Sequence, residues 1–395
     1  MTLFYLPLEP YKERYTWQWS APTTGWLERQ WIRHGIDYLR VDGTQQEAPR
    51  EIKSGCVLDA VGRSSFCFSQ ISRLLSLAEQ GKITSSDCVL LDDFWTPGFS
   101  ALPYAFSLLG IRPRIYAFLH AQSVDEFDFT YPMRQWMRHF EKGIGEYLTG
   151  IFVCSPTLKD LICWGGISTA EKVHVVGHPF CSEEVLERMP RRWVEFLASG
   201  DGYPRKHQVV WASRWDREKN PLFFLEVVRQ VVHRDSSVKF VVCTGAKKIR
   251  SNDSECLRGL YSALVDLPGN LELREDLSKE QYYEILCGSK IQFNCASQDF
   301  NPITLQEASV AGCFPVYPYF RSFPTCLRRR QQFFYDHLDV DSAVNKIMCT
   351  LCRPTLWERS EIQERAWIHQ QFDSSWQRML KVMGLWGGAV EELPE

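Results

Sequence analysis

Two carboxylates, Asp299 and Glu307, are separated by seven residues in the run Asp-Phe-Asn-Pro-Ile-Thr-Leu-Gln-Glu. The pair Asn301-Pro302 inside it forces an extended break, because proline disfavours helical backbone at the residue before it, and a helix is expected to open near Ile303. The first turn of that helix, Ile303 and Thr304, directs backbone N–H groups and the positive end of the dipole outward, a setting that suits a diphosphate. Glu307, one turn in, is placed to accept hydrogen bonds from the two hydroxyls of a ribose. Asp299, at the lip of the turn, can hold sugar hydroxyls or balance charge at an anomeric carbon. Ala308, Ala311 and Gly312 let the helix pack closely on a sheet and then stop, and Phe314 to Tyr317 reads as the next buried strand.

A second segment supplies the opposite charge. Val209 to Ser213 is a strand-like apolar run followed by Arg-Trp-Asp-Arg-Glu-Lys-Asn-Pro, which puts Arg214 and Lys219 five residues apart ahead of an amphipathic helix, Leu222 to His233. A departing nucleoside diphosphate develops negative charge that fixed cations must meet where no metal does so. A basic pair by itself is more often a solvated face; its company with the Asp299 and Glu307 run argues for chemistry.

Together the segments resemble the donor-site signature of retaining glycosyltransferases of the two-domain GT-B fold, ordinarily Glu-x7-Glu followed by Ala, Gly and Pro-Val. Here the first acid is Asp, and Phe300-Asn301 replaces the usual Phe-Gly. The resemblance implies a nucleotide-sugar co-substrate, a UDP-linked one being the first expectation, with no metal required. It also implies that Arg214 and Lys219 neutralise the diphosphate beside Asn301, Ile303, Thr304 and Glu307, and that Asp299 and His120, a histidine at a strand end, act at the reacting sugar. The stretches FYLPLEPYKERYT, TGWLERQW and FLHAQSVDEFDFT resemble phage-encoded glycosyltransferases that decorate hydroxymethylated pyrimidines in DNA. The donor half, SRWDREKNP and EASVAGCFPVYP, is also similar to the queuosine-tRNA mannosyltransferase family. Both imply a hydroxyl on a nucleobase as acceptor: a modified pyrimidine in DNA, or alternatively an RNA base or a small molecule.

The acceptor side is expected in the N-terminal half. After the first strand comes a loop with Tyr11, Arg14, Trp17 and Trp19, and Thr24-Gly25-Trp26 is expected to open the next helix. Such a loop can stack a planar acceptor between rings, or the tryptophans can simply pack on the neighbouring helix. His120 ends the run Ile115 to Leu119 and is either a catalytic group or a capped structural one. Asp125 and Asp128 either accept the acceptor proton or cap the following segment, and Asp92 with Asp93 ends another strand, Asp93 being the second acceptor-side candidate. Cys349-x-x-Cys352 lacks the second ligand pair of a zinc site, and Asp339-Val340-Asp341 reads as a helix cap.

These residues need a scaffold, and the chain suggests an α/β one of two Rossmann-like, doubly wound domains facing across a cleft. Strand-like runs at Leu3 to Leu8, Tyr38 to Val41, Val57 to Ala60, Cys88 to Asp92, Arg114 to Leu119, Gly150 to Cys154 and Val173 to Val176 alternate with helical ones, which argues for a parallel sheet over residues 1–180. Residues 181–207 read as a linker. Residues 208–354 repeat the alternation with strands Gln208 to Ala212, Lys239 to Thr244, Leu271 to Arg274, Lys290 to Phe293 and Phe314 to Tyr317, and 355–395 should form helices crossing back to the first domain. The 395 residues are too many for one ordinary core. A net charge of −3 is unlike a tight nonspecific nucleic-acid binder, although Arg328-Arg329-Arg330 and Lys247-Lys248 form local basic clusters. The 14 dispersed cysteines fit a reducing compartment, and no apolar run reaches membrane-spanning length, so a cytoplasmic protein without membrane contact is expected. No amphipathic membrane-docking helix is apparent in the sequence. A different chemistry on the same fold, such as epimerisation, and a noncatalytic nucleotide-sugar binder are the competing classes.

Overall fold

The computed structural model describes residues 1–9, 15–44, 60–199, 205–352 and 357–390. They divide into two compact units, Met1–Pro179 with the segment from Asp373, and Phe180–Phe372. Each is built on one six-stranded sheet, and every strand pair in both is parallel.

The first sheet contains β1 (Leu3–Leu6), β2 (Tyr38–Arg40), β3 (Cys88–Leu91), β4 (Arg114–Phe118), β5 (Gly150–Val153) and β6 (Val173–Val175) in the order β2-β1-β3-β4-β5-β6. β1, β3 and β5 are buried along their whole length, which explains their continuous apolar runs: helices cover both faces of a parallel sheet. The second sheet contains β7 (Lys206–Trp211), β8 (Lys239–Cys243), β9 (Leu271–Arg274), β10 (Ser289–Phe293), β11 (Phe314–Pro318) and β12 (Phe334–Tyr335), ordered β12-β11-β10-β7-β8-β9. Alternate residues of its strands feed opposite faces. Val209, Trp211, Phe240 and Val242 join one core with the helices Pro221–Arg234, Ser254–Asp266 and Val340–Cys352, whereas Val210, Val241 and Cys243 join another with Lys279–Gly288 and Ile303–Val310.

Strand order fixes where each unit can bind. In an open parallel sheet the ligand crevice lies beyond the carboxyl ends of two neighbouring strands whose connections leave in opposite directions. In the second sheet these are β7 and β10, in register at Ile291 with Val209 and Gln292 with Val210. In the first they are β1 and β3, in register from Leu3 with Cys88 to Leu6 with Leu91.

Several expectations change. Residues 181–207 are not an open linker: they form the helices Ser182–Arg188 and Arg191–Ser199 and the start of β7. Val185, Met189 and Trp193, spaced four apart, enter the second unit's core. Thr24-Gly25-Trp26 lies in the middle of a helix, Tyr15–His34, that has already begun at Tyr15. The strand expected at Val57 to Ala60 lies outside the described residues up to Ala60, which itself begins the helix Ala60–Glu79. The short β12 had no apolar run long enough to announce it. The C-terminal helix, Trp357–Val382, contributes Trp376 to the first unit, edge-on to Tyr5 and beside Trp26.

Candidate functional site

The loops leaving β7 and β10 are bonded to each other. Asn220 adopts a left-handed conformation, φ 53°, that turns its side chain toward the β10 loop, where Nδ2 donates to the Cys295 carbonyl at 2.8 Å and the Ser297 hydroxyl at 2.7 Å. The Ser297 N–H donates to the Glu218 carbonyl at 2.8 Å. Lys219, only 7% exposed, reaches across with its ammonium to the Gln298 carbonyl at 2.5 Å and the Asp299 carboxylate at 3.2 Å. Arg214 stays at the surface and pairs with Asp216 at 2.7 Å and Glu218 at 2.6 Å. Asp216 is held in turn by the Asn252 N–H at 2.8 Å. Sequence spacing thus becomes a charged constellation: two cations and three carboxylates around one crevice.

The helix Ile303–Val310 begins beside that crevice, with Pro302 at its cap position and no side chain capping it. Its end follows the expected logic: Gly312 takes a positive φ of 69°, a conformation glycine adopts without steric cost. Asn301 accepts a hydrogen bond from Gln306 Nε2 at 2.9 Å, and the Ser322 hydroxyl donates to the Asp299 carbonyl at 2.5 Å, so both turn residues are tied to their surroundings. Glu307 is buried, 1% exposed, and its Oε1 accepts from the Lys279 ammonium at 2.5 Å and the Tyr283 hydroxyl at 3.0 Å. Burial and the Glu307 charge push the Tyr283 phenol well above its usual range. The arrangement joins an uncapped helix N-terminus, two cations within one loop and a buried, oriented carboxylate, which suits a phosphate-bearing ligand with vicinal hydroxyls.

The equivalent crevice of the first unit is filled from within. The Arg63 guanidinium pairs with Glu9 at 2.9 Å and closely with Asp93, all three being almost wholly buried. Asp92 lies beneath, bonded closely by the Tyr5 hydroxyl and at 3.4 Å by the Leu8 N–H; burial pushes its carboxyl up to about 7. The Asp92 carbonyl faces His120 Nε2 at 2.8 Å. A carbonyl can only accept, so Nε2 carries the proton. Burial holds the His120 imidazole below its ordinary range and drives His178 down to about 3, with His120 adding to the latter. Trp19 lies edge-on between them, 4.9 Å from one ring and 4.8 Å from the other.

Several expected acceptor-side groups therefore have structural work. Trp19 is 2% exposed and packs on Phe118 and the two histidines, so it is not an open stacking platform. Asp93 caps its own turn by accepting from the Trp95 N–H at 2.9 Å while paired to Arg63. Asp125, 1% exposed, accepts from the Phe127 N–H at 3.1 Å, and Asp128 accepts from the Thr130 N–H and hydroxyl, so both shape the Gln122 to Tyr131 turn as local caps. Tyr11 and Arg14 lie outside the described residues, as does the side chain of Trp17. Asp339 caps the helix after it, its carboxylate accepting from the Ser342 N–H at 2.9 Å. An amphipathic helix does exist: Arg134–Tyr147 buries Met137, Glu141 and Ile144 and exposes Trp136 and Phe140 among Arg134, Arg138 and Lys142.

Glu9, Arg63, Lys279 and Tyr283 were missed by sequence reasoning. Glu9 follows β1 as Asp93 follows β3, a signal readable only once those strands are known to be neighbours. Lys279 sits directly after Ser278 in a capping box with Gln281, and a cation at a cap carries no mark of which carboxylate it will meet.

No protein-family model matches the chain. A segment of 146 residues is 24% identical to the tRNA-queuosine alpha-mannosyltransferase of Drosophila melanogaster, covering 37% of this chain and 36% of that protein. Among solved structures the chain is similar to Anabaena HepE in complex with UDP, at 11% identity and a TM-score of 0.63, over 97% of this chain and 100% of that one. It is similar as well to the sucrose-phosphate synthase of Thermosynechococcus elongatus, at 12% identity and a TM-score of 0.64, over 97% and 98%. At these identities the likeness is one of fold, and the chain has the two parallel α/β units of the GT-B architecture. Among the described residues no helix is long and apolar enough to cross a membrane.

Proposed function

We propose that the protein is a retaining glycosyltransferase that draws its sugar from a nucleoside diphosphate donor, in the first instance a UDP-sugar. The observation that carries the reading is the bonded pair of loops at the β7 and β10 ends, in which Lys219 reaches Asp299 at 3.2 Å next to an uncapped helix N-terminus. Support comes from the shared fold with HepE, whose structures contain UDP and UDP-glucose. In this reading Arg214, Lys219 and the amides of Ile303 and Thr304 meet the diphosphate, Glu307 accepts from the ribose hydroxyls, and Asn301 and Asp299 face the sugar. In the first unit His120 is the proposed catalytic group. The bond from the anomeric carbon to the phosphate oxygen breaks through an oxocarbenium-like state, the acceptor oxygen bonds from the same face, and its proton passes to the departing phosphate. Charge neutralisation is assigned to side chains, so turnover should survive a metal chelator.

The proposed acceptor is the hydroxymethyl group of a modified pyrimidine in DNA, a choice supported by the resemblance of the N-terminal segments. A hydroxyl on a modified tRNA base is the second reading, favoured by the similarity to the queuosine mannosyltransferase. The proposed compartment is the cytoplasm, a choice supported by the dispersal of the 14 cysteines along the sequence. The test is nucleoside mass spectrometry after incubation with UDP-sugars and GDP-mannose, using DNA containing 5-hydroxymethyluracil or 5-hydroxymethylcytosine, unmodified DNA, and tRNA. A sugar mass on the hydroxymethylated base alone supports the first acceptor, and one on tRNA supports the second. Absence of both nucleotide release and transfer with every donor would refute glycosyl transfer.

A further inference from the structure

We propose that Lys279 is a positioning residue of the donor site: with the Tyr283 hydroxyl, its ammonium holds the Glu307 carboxylate oriented to accept from two ribose hydroxyls. The inference rests on the donor reading above. Its basis is the depth of Glu307, 1% exposed, against the 39% exposure of the Lys279 side chain, which places the cation on the solvent side of a buried anion. A carboxylate at that depth is driven toward its neutral form unless a cation and hydrogen-bond donors hold it. The ammonium at 2.5 Å and the phenol at 3.0 Å converge on one oxygen, Oε1, and so fix the carboxylate's plane as well as its charge.

The lysine is itself anchored. It is the first residue of the helix Lys279–Gly288, whose start is fixed by a reciprocal capping box between Ser278 and Gln281. Its ammonium lies 5.7 Å from the ring centres of both Tyr282 and Tyr283. The helix Ser182–Arg188 brings two further charged groups to the cluster. Burial raises the Glu184 carboxyl, Arg188 and Lys279 oppose that rise, and Glu307 adds to it. Arg188 is engaged with Glu184 at 3.2 Å and Glu280 at 3.7 Å. Tyr282 and Tyr283 are pushed up by burial and by Glu307, and Cys243 on β8 is pushed up to about 12 by burial. These three stay neutral near pH 7.

Without the ammonium one of the donors that fix Glu307 is lost, so the carboxylate should meet the ribose hydroxyls less well and donor affinity should fall. The experiment is calorimetric titration of the full chain with UDP-glucose, with GDP-mannose and with the 2′-deoxyribose form of each. Expected for the unaltered protein is tighter binding of the ribose form. Lys279→Met should weaken binding of the ribose form by about tenfold and of the deoxy form by less than about twofold. Lys279→Arg should restore the preference for the ribose form. Should Lys279→Met fail to fold, Lys279→Gln, which keeps a donor without the charge, carries the same expectation. Equal weakening of the ribose and deoxy forms, or unchanged binding in the lysine variants, overturns the proposal while leaving the donor reading intact. Failure of the unaltered protein to bind either probe overturns the donor reading, and this inference with it.

Discussion

The crevices of the two sheets are built on the same topological device and filled in opposite ways. Beyond β7 and β10 the cluster reaches solvent at Arg214, whose side chain is 44% exposed, while Lys219 is as buried as the charges of the first unit and, with Asn220, ties the two loops together. Beyond β1 and β3 the charges are sealed: Arg63, Glu9 and Asp93 have side chains between 1% and 9% exposed. An open cation such as Arg214 can exchange protein partners for a ligand at modest cost, because solvent already screens it. Sealed charges cannot, since each depends on its partner to offset desolvation. The first unit's cluster therefore reads as a keystone for its loops, and the second unit's differs from it in presenting an exposed cation, Arg214.

Arg63→Met tests the keystone most severely. It leaves Glu9 and Asp93 buried without their cation and should destabilise the first unit by about 3–5 kcal/mol in urea unfolding, while nucleotide binding to folded protein stays unchanged. Lys219→Ala should show the reverse pattern. Removing one group that meets developing charge typically lowers turnover by about 10²–10³-fold, measured as kcat against donor release; unchanged turnover would end the diphosphate assignment. A third comparison uses pH. The Asp92 carboxyl is raised by burial to about 7, so the folded state favours its protonated form. That stabilisation is complete below the unfolded value near 4 and is lost as pH rises toward and through 7. Asp92→Asn should abolish this loss and gain on the order of 2 kcal/mol relative to the parent at pH 8 but not at pH 4, read from unfolding at the two pH values. The smallest effect is expected from Tyr283→Phe, which removes one hydrogen bond to Glu307 and should weaken donor affinity by about 1 kcal/mol, roughly fivefold.

Sequence reasoning located the elements around Asp299 and Glu307 because their signals are local. Asn301-Pro302 predicts a helix start at Ile303, and the helix does run Ile303–Val310. Four of the second sheet's strands were found to within two residues from their apolar runs, and β9 in full, its Leu271 and Leu273 alternating with the exposed Glu272 and Arg274. Acceptor-side assignments fared differently. Trp19, Asp93, Asp125 and Asp128 are residue types able to do chemistry, yet each is occupied with packing or capping. Nothing in the neighbouring residues separates an aspartate that ends a strand and caps a turn from one that faces a substrate.

What the sequence by itself determined was the alternation of strand and helix, the positions of the breaks, and the charged residues carried by the β7 and β10 loops, all governed by steric and periodic preferences over a few residues. Only the tertiary structure decided which of those charges meet. Lys219 and Asp299 are eighty residues apart in the chain, and Lys279 and Glu307 twenty-eight. Their pairing follows from strand order, which places β10 beside β7, and from helices packed on one face of the sheet. Burial then sets the demand: at 1% exposure the Glu307 carboxylate must be met by donors from the protein, and the Lys279 ammonium and the Tyr283 hydroxyl are two of them.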